Sequence, residues 1–216
     1  MHRLTRSSPE PEALQEARNA KPPIDWDHFS TKDKKTVRDA LLVMQDCRCA
    51  YCERKIDDVG DKQKDKRGGH IEHFQRKDSS FCPELTFVWE NLFFSCNNGQ
   101  TCGRHKDAMI QDKSEYVYLI DPCKENPEHF FVFAASGKVH VRSGLTENEQ
   151  KRAQFTIKVF GLNAPCLIRD RLNLLNGFLW LKDCSNEDRM LFLNDSRTKV
   201  PFITALFHYY GEKVIS

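Results

Sequence analysis

Two cysteine pairs, Cys49-x2-Cys52 and Cys96-x5-Cys102, constrain this chain more than any other feature. Four thiolates that meet at one tetrahedral ion tie together stretches of chain that local preferences would leave apart. The first pair has the spacing of a zinc knuckle. The second needs Asn97-Asn98-Gly99-Gln100 to turn so that its sulfurs come back together. Cys47 is an alternative member, and free buried thiols are the competing reading. The start of the chain, Met1 to Pro9, carries positive charge but no apolar stretch, so a secretory signal is not expected and a cytoplasmic setting follows. In a reducing compartment, nine cysteines, an odd number, point to metal rather than to disulfides. Cys82, Cys123, Cys166 and Cys184 lack paired spacing and are expected to pack as ordinary small side chains.

With 216 residues, 30% charged and 39% hydrophobic, the composition is that of one globular domain, or one domain with a small appendage. No apolar run is long enough to span a bilayer, so no membrane partner is expected. The formal charge of +2 gives no global attraction to nucleic acid. Residues 1–29, broken by Pro9, Pro11, Pro22 and Pro23, read as an arm that docks on something else. Ser30 and Asp33 cap a helix that carries Val37, Ala40, Leu41, Val43 and Met44 up to Asp46. His70 to Phe74 reads as a short strand or strand end. Strands are also expected at 116–120, 130–133 and 139–141, with a turn at Ser136-Gly137-Lys138. Thr146 and Glu149 form a capping box for a helix that Gly161 closes. Asn163 then caps a helix reaching Leu181, and a last helix covers about 201–211.

Between the cysteine pairs lie the residues with catalytic chemistry. Hydrolysis of a phosphodiester needs a base for water and a cation to neutralise the charge that develops on oxygen. His70-Ile71-Glu72-His73 places a carboxylate beside a histidine, and Asn91 and His105 follow. On a regular strand His70 and Glu72 share one face while His73 turns to the other. Glu72 and His73 converge only if the strand ends or kinks there, which keeps His70 open as a ligand. Asn91 can also be read as a helix N-cap. Lys62, Lys64, Lys66, Arg67, Arg76 and Lys77 flank these residues and can meet phosphates, but Asp57, Asp58, Asp61 and Asp65 interleave with them, as in a solvated loop.

The order Cys49-x2-Cys52, Glu72-His73, Asn91-Leu92, Cys96, Cys102, His105-Lys106 resembles the zinc-bearing HNH endonucleases. The wording of Cys49 to Glu53, His70 to Phe74 and Asn91 to Asn97 is similar to the PtuB-like HNH proteins of Septu and retron anti-phage systems. The resemblance covers about residues 46–107, with weaker similarity at Ile120-Asp121-Pro122 and at Phe160 to Asn163. It implies that His73 is the general base, that Glu72 and His105 hold the catalytic metal, and that Asn91 orients the base or its hairpin. Glu72 stands where many relatives have Asp, and Gly103 stands where many have the last metal histidine. The expected fold is α+β: a zinc-stapled ββα-metal, treble-clef-like core over 30–115, followed by a small sheet and helices over 116–216. The expected cofactors are a structural zinc at Cys49, Cys52, Cys96 and Cys102, and Mg²⁺ or Mn²⁺ at Glu72, His105 or His70. The resemblance implies a DNA or RNA substrate and an ABC-type ATPase partner of the PtuA kind, in some systems with a retron reverse transcriptase and its noncoding DNA. A catalytically inactive zinc-stabilised module and a nuclease directed at transfer RNA remain the alternatives.

Overall fold

The computed structural model describes residues 1–6, 9–56 and 68–211. It is a mixed structure of helices and two short antiparallel hairpins. The helix expected after Ser30 is α2, Thr31–Met44, and the Ser30 hydroxyl accepts from Asp33 N as the capping pattern requires. Its Val37 and Leu41 are fully buried, whereas Val43 is 74% exposed and does not belong to the core face. Gln45, wholly buried at the end of α2, donates to the carbonyls of Arg48 and Phe94 and accepts from Phe94 N. That amide holds the helix end, the first cysteine pair and the following hairpin in one place.

The hairpin is β1, Gly69–His73, paired with β2, Leu92–Cys96, in the register Gly69 to Cys96 and His73 to Leu92. Helix α3, Cys102–Met109, follows β2 directly. The segment between β1 and β2 returns through the short turns Pro83–Leu85 and Trp89–Asn91. The described part of residues 1–29 does find a partner, and it is this chain's own core. Helix α1, Glu12–Asn19, buries Leu14 and Ala17, Leu4 N donates to Pro122 O, and Met1, Leu4 and Phe29 join the same apolar cluster.

Three sequence expectations in the C-terminal half are corrected. Residues 116–120 are no strand. Asp112 and Glu115 form a capping box that winds Lys113–Tyr118 into a 3-10 helix. Asn163 does not cap the next helix; its amide bonds both the N–H and the carbonyl of Val139, and Ala164 and Pro165 start the helix instead. The long helix expected to reach Leu181 stops at Gly177, a 3-10 turn follows at Leu179–Lys182, and a further helix, Asn186–Asp195, was not anticipated.

The second hairpin is as read. After the one-turn helix α4, Pro127–Phe130, strand β3, Phe131–Phe133, pairs with β4, Val139–Val141, and Gly137 takes the left-handed turn at φ +75°. Helix α5, Glu147–Val159, has the expected Thr146–Glu149 capping box, and Gly161 follows it at φ +57°. Helix α6 is Pro165–Gly177, α7 is Asn186–Asp195 and α8, Ile203–Leu206, runs on through Phe207–Gly211.

Phe160, at the end of α5, joins the two halves. Its ring is fully buried and stacked on Tyr51 at 4.1 Å, and its carbonyl accepts from Cys102 N. Phe160→Ala is expected to cost about 3–5 kcal/mol of stability by cavity formation, measured by urea denaturation. Val43→Ala, on the exposed side of α2, should stay within about 0.5 kcal/mol.

Candidate metal and active site

The chain around the first pair closes into a knuckle. Cys49 N donates to Arg54 O, Glu53 N to Cys49 O and Ile56 N to Cys47 O, while Asp46, Cys47 and Glu53 take left-handed conformations with φ between 50° and 65°. The second pair is brought back by a turn in which Gln100 N donates to Asn98 Oδ1 and Thr101 N to Asn98 O. As a result the sulfurs of Cys49, Cys52, Cys96 and Cys102 are buried and lie within 4.8 Å of one another. Cys52 Sγ and Cys96 Sγ are 3.9 Å apart. A tetrahedral ion with bonds of about 2.3 Å separates its sulfurs by about 3.8 Å, so the donor set fits zinc in kind and spacing. Cys47 is exposed and stands outside the group.

Burial raises the thiols of Cys52 and Cys102 well above the usual range. Burial opposes ionisation of Cys49 as well, but hydrogen bonds from Cys102, Cys52 and Cys96 outweigh it and pull that thiol well down. Burial thus opposes ionisation at Cys49, Cys52 and Cys102, and a divalent cation is what would let all four sulfurs ionise. Burial works against the charge of Arg54, but the sulfur of Cys52 and the carboxylate of Asp170 raise its pKa. Arg171, 1% exposed, feels Cys52 and Cys102 too. These two cations offset the negative charge that four thiolates and one divalent ion would leave.

The pleat of β1 sorts its polar residues as the period-two reading requires. His70 and Glu72 face the same way, with Nε2 to Oε2 at 3.2 Å. The carboxylate lies against the start of α3, where a Cβ built on Gly103 would stand 2.3 Å from Glu72 Oε2. Glu72 and Gly103 are thus complementary: the carboxylate occupies space that only a missing side chain at Gly103 provides. Lys106, fully buried one turn further along α3, pairs with Glu72 Oε1 at 2.7 Å and Asp107 Oδ1 at 2.9 Å, and donates to the carbonyls of His73 and Phe74. Burial disfavours the carboxylate of Glu72, but Lys106 and His70 more than compensate and lower its pKa. On the other side of His70, Nδ1 lies 2.9 Å from Asn97 Oδ1. Both ring nitrogens of His70 therefore face oxygen, and the Nε2 to Oε2 gap calls for a proton or a metal cation.

His73 turns to the opposite face. Its Nε2 lies 2.9 Å from Thr86 O, its ring meets Trp26 edge-on at 4.6 Å, and it is 8% exposed. Burial holds its pKa down to about 4. A carbonyl can only accept, so Nε2 carries the proton and Nδ1 keeps the lone pair. Asn91 lies on the same side, where it accepts from Gln75 N and donates to Gln75 O and Leu85 O, clamping the chain just beyond His73. His105 points a third way, with Nδ1 2.8 Å from Val159 O at the end of α5. Glu72, His70 and His105 are not brought together. The four cysteines alone form a group of three or more His, Cys, Asp or Glu donors among the described residues.

Of the flanking basic residues, Lys62, Lys64, Lys66 and Arg67, with Asp57, Asp58, Asp61 and Asp65, lie outside the described residues. Arg76 is committed internally, to Asp78, to Asp107 O and to the face of Phe81 at 4.1 Å. Sequence reasoning gave no role to Asn97, Gly103 or Lys106 in shaping the site. The complementarity of Gly103 to Glu72 is set by the fold and not by any local pattern. Among the described residues no helix is long and apolar enough to cross a membrane.

No protein-family model matches the chain. Curated proteins do. The "Retron Vc95 putative HNH endonuclease" of Vibrio cholerae serotype O1 biovar El Tor is 28% identical over 170 residues, covering 74% of this chain and 76% of that protein. Septu protein PtuB of Bacillus mycoides (strain KBAB4) is 26% identical over 161 residues, covering 66% of this chain and 52% of its own length. Septu protein PtuB of Bacillus thuringiensis is 29% identical over 108 residues, covering 49% and 37%. The match thus spans only about half of one Septu protein and less of the other.

The four-sulfur group predicts one tightly held metal ion per chain by elemental analysis. Cys102→Ala should lose that ion and unfold at lower temperature, whereas Cys82→Ala should keep it.

Proposed function

We propose, from the likeness to the retron and Septu proteins, that this chain is a PtuB-like HNH protein and a metal-dependent endonuclease acting in anti-phage defence. The observation that carries the reading is the hairpin geometry: a carboxylate and imidazole pair on one face of β1, and a neutral imidazole of fixed tautomer at the adjoining residue. We read β1, β2 and α3 as the ββα-metal core, and the four sulfurs as its structural zinc site.

In this scheme His73 is the general base. Its Nε2–H donates to Thr86 O, so Nδ1 accepts the proton of the attacking water, and a pKa of about 4 keeps the ring unprotonated and ready near neutrality. Asn91 holds Gln75 and thereby the backbone beyond the base. His70 Nε2 and Glu72 Oε2 would hold Mg²⁺ or Mn²⁺. Their separation of 3.2 Å is close to the roughly 3 Å between neighbouring ligands of an octahedral ion with bonds of about 2.1 Å. When bound, that ion supplies charge neutralisation at the phosphoryl and leaving oxygens. The second ligand position is assigned to His70 rather than His105, whose Nδ1 is taken by Val159 O. Lys106 occupies Glu72 Oε1 and restricts the carboxylate to one ligating oxygen.

HNH chemistry uses no 2′-hydroxyl, so DNA and RNA both remain substrates in this reading. The partner in the proposal is an ABC-type ATPase of the PtuA kind, joined in retron systems by a reverse transcriptase and its noncoding DNA. One observation favours a second reading, an inactive zinc-stabilised module: Trp26 lies edge-on against His73 and limits the approach of water.

After treatment with EDTA, added Mg²⁺ or Mn²⁺ should restore cleavage of plasmid or RNA; no rescue would favour the inactive module. His73→Ala should abolish cleavage with metal content and folding unchanged, and retained cleavage would refute the base assignment. Gly103→Ala should lower cleavage by roughly a hundredfold, because its methyl group displaces the Glu72 carboxylate.

A further inference from the structure

The segment 20–30 links α1 to α2 and passes over the side of β1 on which the His73 ring lies. Its side chains alternate: Pro23, Asp25 and Asp27 are exposed, while Ile24 and Trp26 turn inward and pack on the core. Trp26 is the main anchor. Its ring meets Phe29 at 5.4 Å, Phe87 at 5.8 Å and His73 edge-on at 4.6 Å, and Lys34 Nζ from α2 lies 5.7 Å from its centre. The polar groups look elsewhere. Among the described residues, 21–28 make hydrogen bonds only with one another and with Phe29: Asp25 Oδ1 accepts from Asp27 N and His28 N and faces His28 Nδ1, and Asp25 O accepts from Phe29 N. A self-contained turn that rests on its neighbours through ring packing alone, with no hydrogen bond to the body beneath it, is a segment that opens locally while the fold stays intact.

A cleft of about 770 Å³ lies between the end of α1, this strap and the segment 77–87. Trp26 and Thr86 line it, the ring and the carbonyl against which the His73 imidazole rests, but His73 itself does not. The indole therefore stands between the imidazole and the solvent of the cleft. The charges in the lining are Asp25, Asp27, Asp78 and Glu84 against Arg18 and Lys77. Arg18 is already engaged by Glu10 and Phe87 O, and Asp78 by Arg76. That leaves Asp25, Asp27 and Glu84 against Lys77, the wrong sign for a phosphodiester chain. Two of these three carboxylates ride on the strap, so its displacement removes the indole and the negative charge together.

We infer that residues 20–30 form an autoinhibitory strap, in which Trp26 caps His73 and Asp25 and Asp27 repel nucleic acid until the strap swings away about the buried Phe29. The inference rests on His73 being the base, as proposed above. It gives the Trp26 contact a meaning other than permanent inactivity: a competent base lies under a removable cover. The fraction of molecules with the strap open then sets how often water and substrate reach His73.

The test uses the full, metal-loaded chain, Trp26→Ala, and Trp26→Leu as a second variant that keeps apolar packing on Phe29 and Phe87. Diethyl pyrocarbonate acylates unprotonated imidazole that solvent reaches, and peptide mass spectrometry resolves His73 from the other histidines. Cleavage of plasmid and RNA is measured on the same preparations. Expected are labelling of His73 roughly tenfold faster in the variants, with exposed His140 unchanged as the internal control, and cleavage raised by a similar factor. Asp27→Asn should raise cleavage at low salt and not at high salt. Faster labelling of His73 without cleavage by any of the chains supports the cover and sinks the nuclease reading instead. Unchanged labelling in both Trp26 variants, or faster labelling with cleavage below that of the unaltered chain, overturns the strap, and unchanged cleavage by Asp27→Asn at low salt overturns its electrostatic part.

Discussion

Four sulfur atoms within 4.8 Å of one another hold the middle of this protein in register. Cys49 and Cys52 sit in a knuckle just after α2, Cys96 ends β2 and Cys102 begins α3. Fixing these points fixes the height of α3 over the hairpin. It is that height which puts Gly103 and Lys106 against Glu72. The C-terminal half closes on the same group, through Phe160 O on Cys102 N and through Phe202 N and Thr204 N, which donate to the backbone and side chain of Glu53. Apolar packing supplies most of the stability, while the cysteine group supplies the geometry.

Given that frame, the pleat of one strand divides the chemistry. Residues two apart share a face, so His70 joins Glu72 against α3. The next residue, His73, is sent to the side where Trp26 and Thr86 meet it. The two faces also differ electrostatically. Lys106 and His70 hold the Glu72 carboxylate ionised although it is buried, whereas desolvation holds His73 neutral. In the proposed mechanism the charged group would hold a cation and its neutral neighbour would take a proton, the division of labour that hydrolysis needs.

Much of this was legible in the residues. The cysteine spacing, the Ser30 and Thr146 caps, the turn at Gly137 and the opposed faces of Glu72 and His73 are all local patterns, and local patterns survive into the fold. What was not legible depends on contacts distant in sequence. Tyr116 to Ile120 has strand-like composition, yet the Asp112 to Glu115 box winds its first part into a 3-10 helix. Asn163 has the identity of a cap, yet it bonds β4. The proline-rich start reads as an arm, yet it buries Met1, Leu4 and Leu14 in the core. His105 carries a ligand's side chain, but the closing of α5 over α3 gives its Nδ1 to Val159 O. Lys106 simply follows His105 in the sequence, and only the fold encloses it against Glu72.

In the proposed mechanism two ions of different character occupy two places set by one scaffold. Anomalous diffraction from crystals soaked in Mn²⁺, recorded at the zinc and manganese edges, tests it most directly. Expected are a zinc peak among the four sulfurs and a separate manganese peak between His70 Nε2 and Glu72 Oε2. Manganese at His105, or no manganese along β1, would contradict it.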